Sequence, residues 1–406
     1  MPEKQKKKFE WWWLVLPIVY LLFFTFGFPN NLIGSTWPTL NNELGFSLGG
    51  VSTVFMIISI GNIIASFTSD KIIRSLGHAK VVALGLILTI IAVIGWAFST
   101  SFIVFCCFAL PFGFGAGWGV AATNNYMVDH YRAFHLSMVN CVWAGGAAVG
   151  GLVIKKANSY VSAFISIAIV VAVVLVILLI NARRWKQVPP IEVEEEHKQK
   201  EEEANSKPIT MKDAIVVPGV IAAMFALFLY ASIENVNNTN ATNYLFNVLG
   251  APEKNSAGMV FFIGLAAGRF VTAFATLKLS DRTLARIGEA IMLVGSIFML
   301  AASHSVTATL IAIAIVGVGC APINPMIVHS APDNFGRKYS QAAIGLILTM
   351  SNIGNLLMPK LFNLVADHTS IGYKFYPIYV LILCILLAIV FEVLQVRSRK
   401  NKTQAA

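Results

Sequence analysis

The chain has 406 residues, of which 57% are hydrophobic and only 12% are charged. A soluble protein of this length needs far more charged surface, so the composition excludes one. The net charge of +10 does not indicate nucleic-acid binding, because lysine and arginine lie at the ends of apolar segments and in alternate connections, as membrane topology requires.

A lysine-rich N-terminus leads directly into the first apolar segment. Residues 11–28 lack a small-residue cleavage site, so we expect a retained first helix and not a signal peptide. Twelve apolar segments are long enough to cross a bilayer core of about 30 Å as helices. They lie at 11–37, 48–68, 79–99, 101–127, 136–155 and 160–182 in the first half, and at 214–248, 256–279, 285–303, 306–330, 340–364 and 372–396 in the second.

A polar stretch rich in glutamate separates the sixth and seventh segments and predicts a solvated linker. We therefore predict an all-α polytopic membrane protein with two parallel six-helix repeats. The N-terminal bundle covers residues 1–182, the charged linker 183–213 and the C-terminal bundle 214–406. The basic residues of alternate connections predict that both termini and the linker are cytoplasmic.

The two halves repeat one pattern, which indicates a duplicated architecture. The motif S-D-[K/R]-x-x-x-x-[L/I]-G at residues 69–77 returns at 280–288, displaced by 211 residues. We call these two stretches the charged islands, and expect them in equivalent cytoplasmic loops. Three further matches share a displacement of 204 residues: 24–31 with 228–235, 113–115 with 317–319, and Asp129 with Asp333.

The seventh segment holds the densest group of polar residues, E-N-V-N-N-T-N at 234–240. Polar side chains inside a membrane span are costly unless they have partners, so each is a functional candidate. Asparagine both donates and accepts hydrogen bonds, which suits hydroxyl-rich ligands. Counting from Val217 places Glu234 in the outer half of the bilayer. The alternative is that residues 236–240 lie at the outer surface and are simply solvated.

Glu234 and Arg269 are the two ionisable residues that we place well inside the second half. They could form a structural ion pair between the seventh and eighth spans. Alternatively, Glu234 exchanges a proton while the substrate or Arg269 biases its charge. Sodium coupling or uniport fits the same residues.

Asparagines and one tryptophan in other segments complete the predicted substrate site. Pro29 precedes Asn30 and Asn31 and can interrupt the first helix, as in other substrate-lining helices, although these amides could also join helices. The polar residues of the fourth and fifth segments fit two roles equally well, lining of the substrate site and ordinary packing between helices. The candidates are Asn30, Asn31, Asn124, Asn125, Asn140, Trp143, Glu234, Asn235, Asn238, Asn324 and Asn352.

No segment carries a motif of catalysis or of cofactor binding. The glycine-rich residues 113–119 lack the preceding strand and the Gly-Lys-Ser/Thr ending of a phosphate loop. Small residues at this spacing instead let helices pack closely. We expect neither enzyme activity nor a cofactor, a metal or nucleotide-driven transport.

The first island resembles G-x-x-x-D-[R/K]-x-G-[R/K]-[R/K], a motif of the major facilitator superfamily of secondary transporters. It departs from that motif, since more residues separate Asp70 from Gly77, and His78 and Lys80 stand where a basic pair is usual. Other stretches resemble the sugar-transporting branch that includes fucose:proton symporters. They are G-S-T-W-P at 34–38, N-N-Y at 124–126, residues 130–145 and 228–245, G-R-F at 268–270 and A-P-I-N-P at 321–325.

This resemblance covers the chain except the linker and implies a secondary active transporter for a small polar solute, a sugar or sugar-like compound. Transport would proceed by alternating access, with a proton as one candidate coupling ion. Efflux of drug-like or metabolite compounds is the alternative. The resemblance also implies a monomer in a plasma membrane of the bacterial inner-membrane type, with the lipid bilayer and a small molecule as partners and no nucleic acid.

The charged islands are candidates for a cytoplasmic gate, because their charges could pair across the bundle and hold that side closed. The alternative is that the basic residues only anchor the topology. The predicted gate residues are Asp70, Lys71, Arg74, Asp129, Arg132, Asp281, Arg282 and Arg286.

Overall fold

A computed structural model describes residues 14–131, 133–188, 211–252, 255 and 257–404. Within these ranges all regular secondary structure is helical. In the described part of the chain, twelve helical segments are long and apolar enough to cross a membrane. The predicted all-α polytopic fold with twelve spans is therefore confirmed.

The helices of the first half form spans 1 to 6. Span 1 consists of two helices, Val15–Gly27 and Leu32–Leu44. Spans 2 to 6 are Gly50–Leu76, His78–Phe98, Phe102–His130, Ala133–Lys156 and Tyr160–Asn181, and span 6 continues into a 3₁₀ turn at Ala182–Gln187.

The second half begins with a short helix at Met211–Ile215. Spans 7 to 9 are Val220–Leu249, Ala257–Ala275 and Asp281–Ala301. Span 10 consists of Val306–Cys320 and Ile323–His329, and a short helix at Ala331–Phe335 follows it. Span 11 is Arg337–His368, and a 3₁₀ turn at Gly372–Phe375 leads into span 12 at Tyr376–Gln404.

Twelve spans return the chain to the side of the bundle from which it started. We call this the terminal side, and the opposite side the far side. Spans 1, 3, 5, 7, 9 and 11 run from the terminal side to the far side, and the others run back. Six spans per half give both halves the same orientation.

The buried apolar side chains form two separate cores. One is built from residues between Val15 and Val188, and the other from residues between Ala214 and Leu394 together with three alanines of span 5. The predicted bundle boundaries stay a prediction, because residues 189–210 of the linker lie outside the described ranges.

Large apolar side chains also cover the outside of the bundle. Ile103 and Ile180 are each more than 70% exposed. Such a surface would be unstable in water, but it is the surface that a bilayer requires.

Glycines confirm the repeat displaced by 204 residues. A Cβ on Gly113 of span 4 would overlap the Ile58 carbonyl oxygen of span 2. Its counterpart in span 10, Gly317, lies equally close to the Phe261 carbonyl oxygen of span 8. Small residues allow this close approach of helices, and each half uses it in the same place.

The charged islands do not follow this register, and the expectation of equivalent loops is wrong in its local detail. Spans 3 and 9 begin at His78 and Asp281, displaced by only 203 residues. The first island occupies the last turns of span 2, which ends at Leu76 because Gly77 turns the chain with a φ of +83°. The second island instead starts span 9, with Ser280 as its N-cap.

Span 1 is interrupted where the sequence predicts. Pro29 lies in the turn between Gly27 and Leu32. Proline has no N–H group, and its ring clashes with the preceding helical turn. The residue that corresponds to Pro29 in the second half is Ile233, and span 7 continues through it without a break.

Candidate functional site

Among the described residues, the two halves contact each other most extensively between spans 5 and 8, spans 2 and 11, and spans 1 and 7. On the far side, Lys360 Nζ of span 11 donates a hydrogen bond to Thr53 Oγ1 of span 2 at 2.9 Å. Gly49, which precedes span 2, lies directly against the carboxylate of Asp367 at the end of span 11. These contacts hold the far side closed.

Tyr230, Glu234 and Arg269 form the polar centre of the contact region. The Tyr230 hydroxyl donates to Glu234 Oε2 at 2.6 Å, and Arg269 Nη2 donates to the Tyr230 hydroxyl at 3.4 Å. Tyr230 and Glu234 share a helix face because four residues separate them. Glu234 and Arg269 therefore meet through a buried hydroxyl, and not as the direct ion pair considered from the sequence.

Glu234 lies at the midpoint of span 7, fourteen residues after Val220 and fifteen before Leu249. The sequence-based placement in the outer half is therefore corrected. The count began at Val217, whereas the helix begins at Val220, and the residues before it form a separate short helix that ends at Ile215.

Arg269 also reaches across to the first half. Its Nη1 donates to the Asn140 carbonyl oxygen of span 5 at 2.8 Å, and its guanidinium carbon lies 5.8 Å from the ring centre of Trp143. Arginine suits this position because its planar fork can serve several acceptors and also stack on an aromatic face. We call the contact between spans 5 and 8 the seam.

The polar run of span 7 is not a solvated surface, so that alternative is wrong. The helix continues for nine residues beyond Asn240, and Asn237, Thr239 and Asn240 are fully buried. Asn237 Oδ1 accepts from the Tyr376 hydroxyl of span 12 at 2.6 Å. This part of the run holds the second half together.

Two other asparagines of span 7 face different neighbours. Asn235 Nδ2 donates to the Asn355 carbonyl oxygen of span 11 at 2.6 Å. Asn238 Nδ2 lies 3.4 Å from the Asn30 carbonyl oxygen in the break of span 1. The side-chain oxygen of Asn238 is buried without a hydrogen-bond partner among the described residues, so its capacity to accept a hydrogen bond is unused.

Asn31 is fully buried between helices. Its Nδ2 donates to the Ala147 carbonyl oxygen of span 5 at 3.1 Å, and its Oδ1 lies against Gly258 of span 8. The alternative of helix–helix hydrogen bonding therefore describes its contacts. The other predicted lining residues are accessible: Asn125 and Asn140 are exposed, and Asn124, Trp143, Asn324 and Asn352 are half-buried.

Two of the predicted gate residues, Asp281 and Arg286, have partners in their own half. Asp281 accepts a hydrogen bond from His329 at 2.7 Å, and Arg286 forms two hydrogen bonds with Glu392. Both pairs lie within the second half. Lys71 and Arg74 are exposed and Arg282 is half-buried, whereas Arg132 and the side chains of Asp70 and Asp129 lie outside the described set.

Sequence reasoning missed three polar residues. Glu289 is 5% exposed inside span 9, so the statement that Glu234 and Arg269 are the two ionisable residues inside the second half is wrong. Lys360 of span 11 also lies within a span, and a count of ionisable residues per span finds both. The third missed residue is Tyr230, which the sequence could have indicated because it precedes Glu234 by four residues and so shares its helix face.

The sequence profile of the Major Facilitator Superfamily matches residues 19–250 and 223–406. No curated protein matches the chain significantly in sequence. A solved D-xylose–proton symporter superposes with a TM-score of 0.67 at 15% identity, covering 92% of this chain and 97% of that chain. The xylose transporter XylE from E. coli, in an inward-open conformation, superposes with a TM-score of 0.71 at 14% identity, covering 93% and 95%. These likenesses are of fold.

Proposed function

Because this chain belongs to the Major Facilitator Superfamily, a family of transporters and not of enzymes, we propose that it carries a sugar or sugar-like solute by alternating access. One observation carries the proposal. The side chains of Tyr230, Glu234 and Arg269 meet the Trp143 ring and the Asn140 carbonyl oxygen of the other half at the centre of the bundle.

The chemistry of this group favours a hydroxylated ligand. Asn238 offers a buried, unpaired acceptor, and amides and guanidinium groups pair with hydroxyls without requiring a charge on the ligand. The exposed fraction of Trp143 provides an aromatic face for the apolar side of a sugar ring. The two structural relatives carry xylose, which agrees with this proposal although their likeness is of fold.

Glu234 is the proposed proton carrier. It lies at the centre of its span and is half-buried, so it can exchange with water and also respond to its partners. Binding a proton would remove its charge beside Arg269. Because Arg269 also contacts the first half, this change of charge would couple proton binding to the arrangement of the two halves.

The terminal side is the proposed cytoplasmic side. Lys71, Arg74 and Arg286 lie there on the exposed surface, as the distribution of basic residues in membrane proteins predicts. We extend the proposal to a monomer in the cell membrane, with the charged islands as its cytoplasmic gate.

The substrate class is tested by ligand-induced thermal stabilisation across sugars, nucleosides, amino acids and cationic drugs. A sugar at 100 times its Kd should add about 2.7 kcal/mol to the free energy of unfolding. Trp143→Ala should abolish the stabilisation by sugar without abolishing folding. Stabilisation by cationic drugs alone would contradict the proposal and favour the efflux alternative.

Proton coupling is tested with Glu234→Gln in proteoliposomes. The amide has the same shape but cannot carry the proton, so accumulation against a gradient should be lost while exchange of labelled sugar between the two sides persists. Glu289→Gln is the matched control, because Glu289 is a buried carboxyl of the same half in span 9. Uphill transport that survives Glu234→Gln would refute the role of this residue.

A further inference from the structure

Tyr230 connects the proposed proton carrier to the other half of the protein. Its hydroxyl donates to Glu234 at 2.6 Å and accepts from Arg269 at 3.4 Å. Arg269 in turn donates to the Asn140 carbonyl oxygen at 2.8 Å. The resulting chain of hydrogen bonds runs from span 7 through span 8 to span 5, and so crosses the seam.

The direction of these hydrogen bonds depends on the charge of Glu234. A carboxylate only accepts, so the single proton of the Tyr230 hydroxyl must point at it, and the hydroxyl oxygen is left to accept from Arg269. A protonated Glu234 is neutral and can itself donate. Arg269, which is half-buried, then loses the opposite charge that lies beyond Tyr230 and that favours its present position.

Tyr230 is placed so that water cannot substitute for it. Its side chain is 2% exposed, and it lies directly between the carboxylate and the guanidinium. The other titratable groups near this chain are the thiols of Cys320 in span 10 and Cys141 in span 5. A thiol is neutral at and below neutral pH, so the Glu234 carboxyl is the acidic group of this chain that the proposal assigns to the coupled proton.

We infer that Tyr230 is a positioning residue that transmits the charge of Glu234 to the seam. Ionised Glu234 holds Arg269 on Tyr230 and Asn140, as in the arrangement described, with the far side closed. Protonation of Glu234 loosens the hold of Arg269 on span 5 and allows the halves to tilt. The inference rests on the proposed function, because it needs Glu234 to carry the coupled proton.

The test measures the distance between spin labels on the two halves as the pH is lowered. Leu76→Cys and Leu277→Cys provide the label sites, because these side chains are 45% and 81% exposed at the terminal ends of spans 2 and 8. The five native cysteines are replaced first. In this labelled protein without further substitutions, the distance between the two spin labels should be shorter at low pH, because the terminal side closes.

Tyr230→Phe removes the hydroxyl and keeps the ring. It should abolish the pH response of the distance and lower uphill accumulation about tenfold. Tyr376→Phe is the matched control, because that hydroxyl is equally buried and donates at 2.6 Å to another residue of span 7, Asn237. It should keep the pH response.

Arg269→Lys provides a second test of the same hydrogen-bond chain. Arg269→Lys keeps the charge but cannot serve Tyr230 and Asn140 together, so it should also lose the pH response, and it replaces Tyr230→Phe if that variant does not fold. A pH response that persists in Tyr230→Phe would overturn the inference, and Arg269→Lys decides the same question if Tyr230→Phe does not fold.

Glu234→Gln separates failure of the inference from failure of the proposed function. If it abolishes both uphill transport and the pH response while Tyr230→Phe keeps the response, proton coupling stands and the role of Tyr230 is refuted. If uphill transport survives Glu234→Gln, proton coupling through this residue fails, and the inference fails with it.

Discussion

At the scale of single residues, helix rotation decides what each asparagine of span 7 does. Successive residues are turned by about 100° around a helix. Asn237 therefore faces Tyr376 inside its own half, while the next residue, Asn238, faces the break of span 1 in the other half. Two identical neighbouring side chains thus have different expected roles, one in stability and one in binding.

Asn237→Ala and Asn238→Ala should separate these roles. Asn237→Ala leaves the buried Tyr376 hydroxyl unpaired, so the free energy of unfolding should fall by about 1–3 kcal/mol, with the Kd for sugar unchanged. Asn238→Ala removes a long hydrogen bond and the free acceptor, so stability should change little while sugar affinity falls about tenfold.

Thermal unfolding and equilibrium binding of a labelled sugar, measured on both variants, check this pair. The reverse pattern, with weaker binding in Asn237→Ala and lower stability in Asn238→Ala, would contradict the placement of the site.

At the scale of helices, proline and glycine decide where spans break and how closely they approach. Pro29 interrupts span 1, whereas Ile233 at the corresponding place leaves span 7 continuous. Gly34, in the second helix of span 1, lies against the Asn238 carbonyl oxygen of span 7. A side chain at this glycine has no room as long as the far side is closed.

Gly34→Ala should therefore disfavour the far-side-closed arrangement. Its Cβ would overlap a backbone carbonyl oxygen, which cannot move aside as a flexible side chain could. We expect the initial rate of sugar transport in proteoliposomes to fall at least about tenfold, the effect of about 1.4 kcal/mol on a barrier.

Gly145→Ala is the control for this substitution, because a Cβ on Gly145 would meet no atom within 4 Å. It should transport like the wild type. A Gly34→Ala protein with wild-type rates would show that spans 1 and 7 do not need this close contact during transport.

At the scale of the whole molecule, the contacts described between the ends of spans 2 and 11 close the far side. Lys360 bonds Thr53 across the halves, whereas the terminal ion pairs of Arg286 and Asp281 stay within one half. Alternating access requires the far-side contacts to break and new contacts to form on the terminal side. Preventing that break should stop transport without harming the fold.

A disulfide between Gly49→Cys and Asp367→Cys should do this. A Cβ at position 49 would lie 3.0 Å from Asp367 Cγ, which is about the place of the sulfur in a cysteine. Oxidation of the double variant should stop transport, and reduction should restore it, while sugar still binds from the terminal side. Each single variant should be insensitive to oxidation, and transport by the fully oxidised pair would contradict far-side closure.

Much of the fold could be predicted because its determinants are local. Apolar length predicted the twelve spans, and Pro29 predicted the break in span 1. The site could be predicted in part: Glu234 and Arg269 were named, but the Tyr230 hydroxyl between them was not. The prediction of equivalent loops for the charged islands was wrong, because the islands match at a displacement of 211 residues whereas the helices repeat at about 204.

Local sequence was sufficient for the number of spans, because a chain in lipid must satisfy its backbone polar groups within each helix. It was also sufficient for the duplication, which glycine positions preserve. The folded arrangement was required to know which polar groups meet. Arg269 bonds a residue 129 positions away, and Lys360 bonds one 307 positions away. Such pairs depend on how spans of opposite halves pack, and no local pattern encodes that packing.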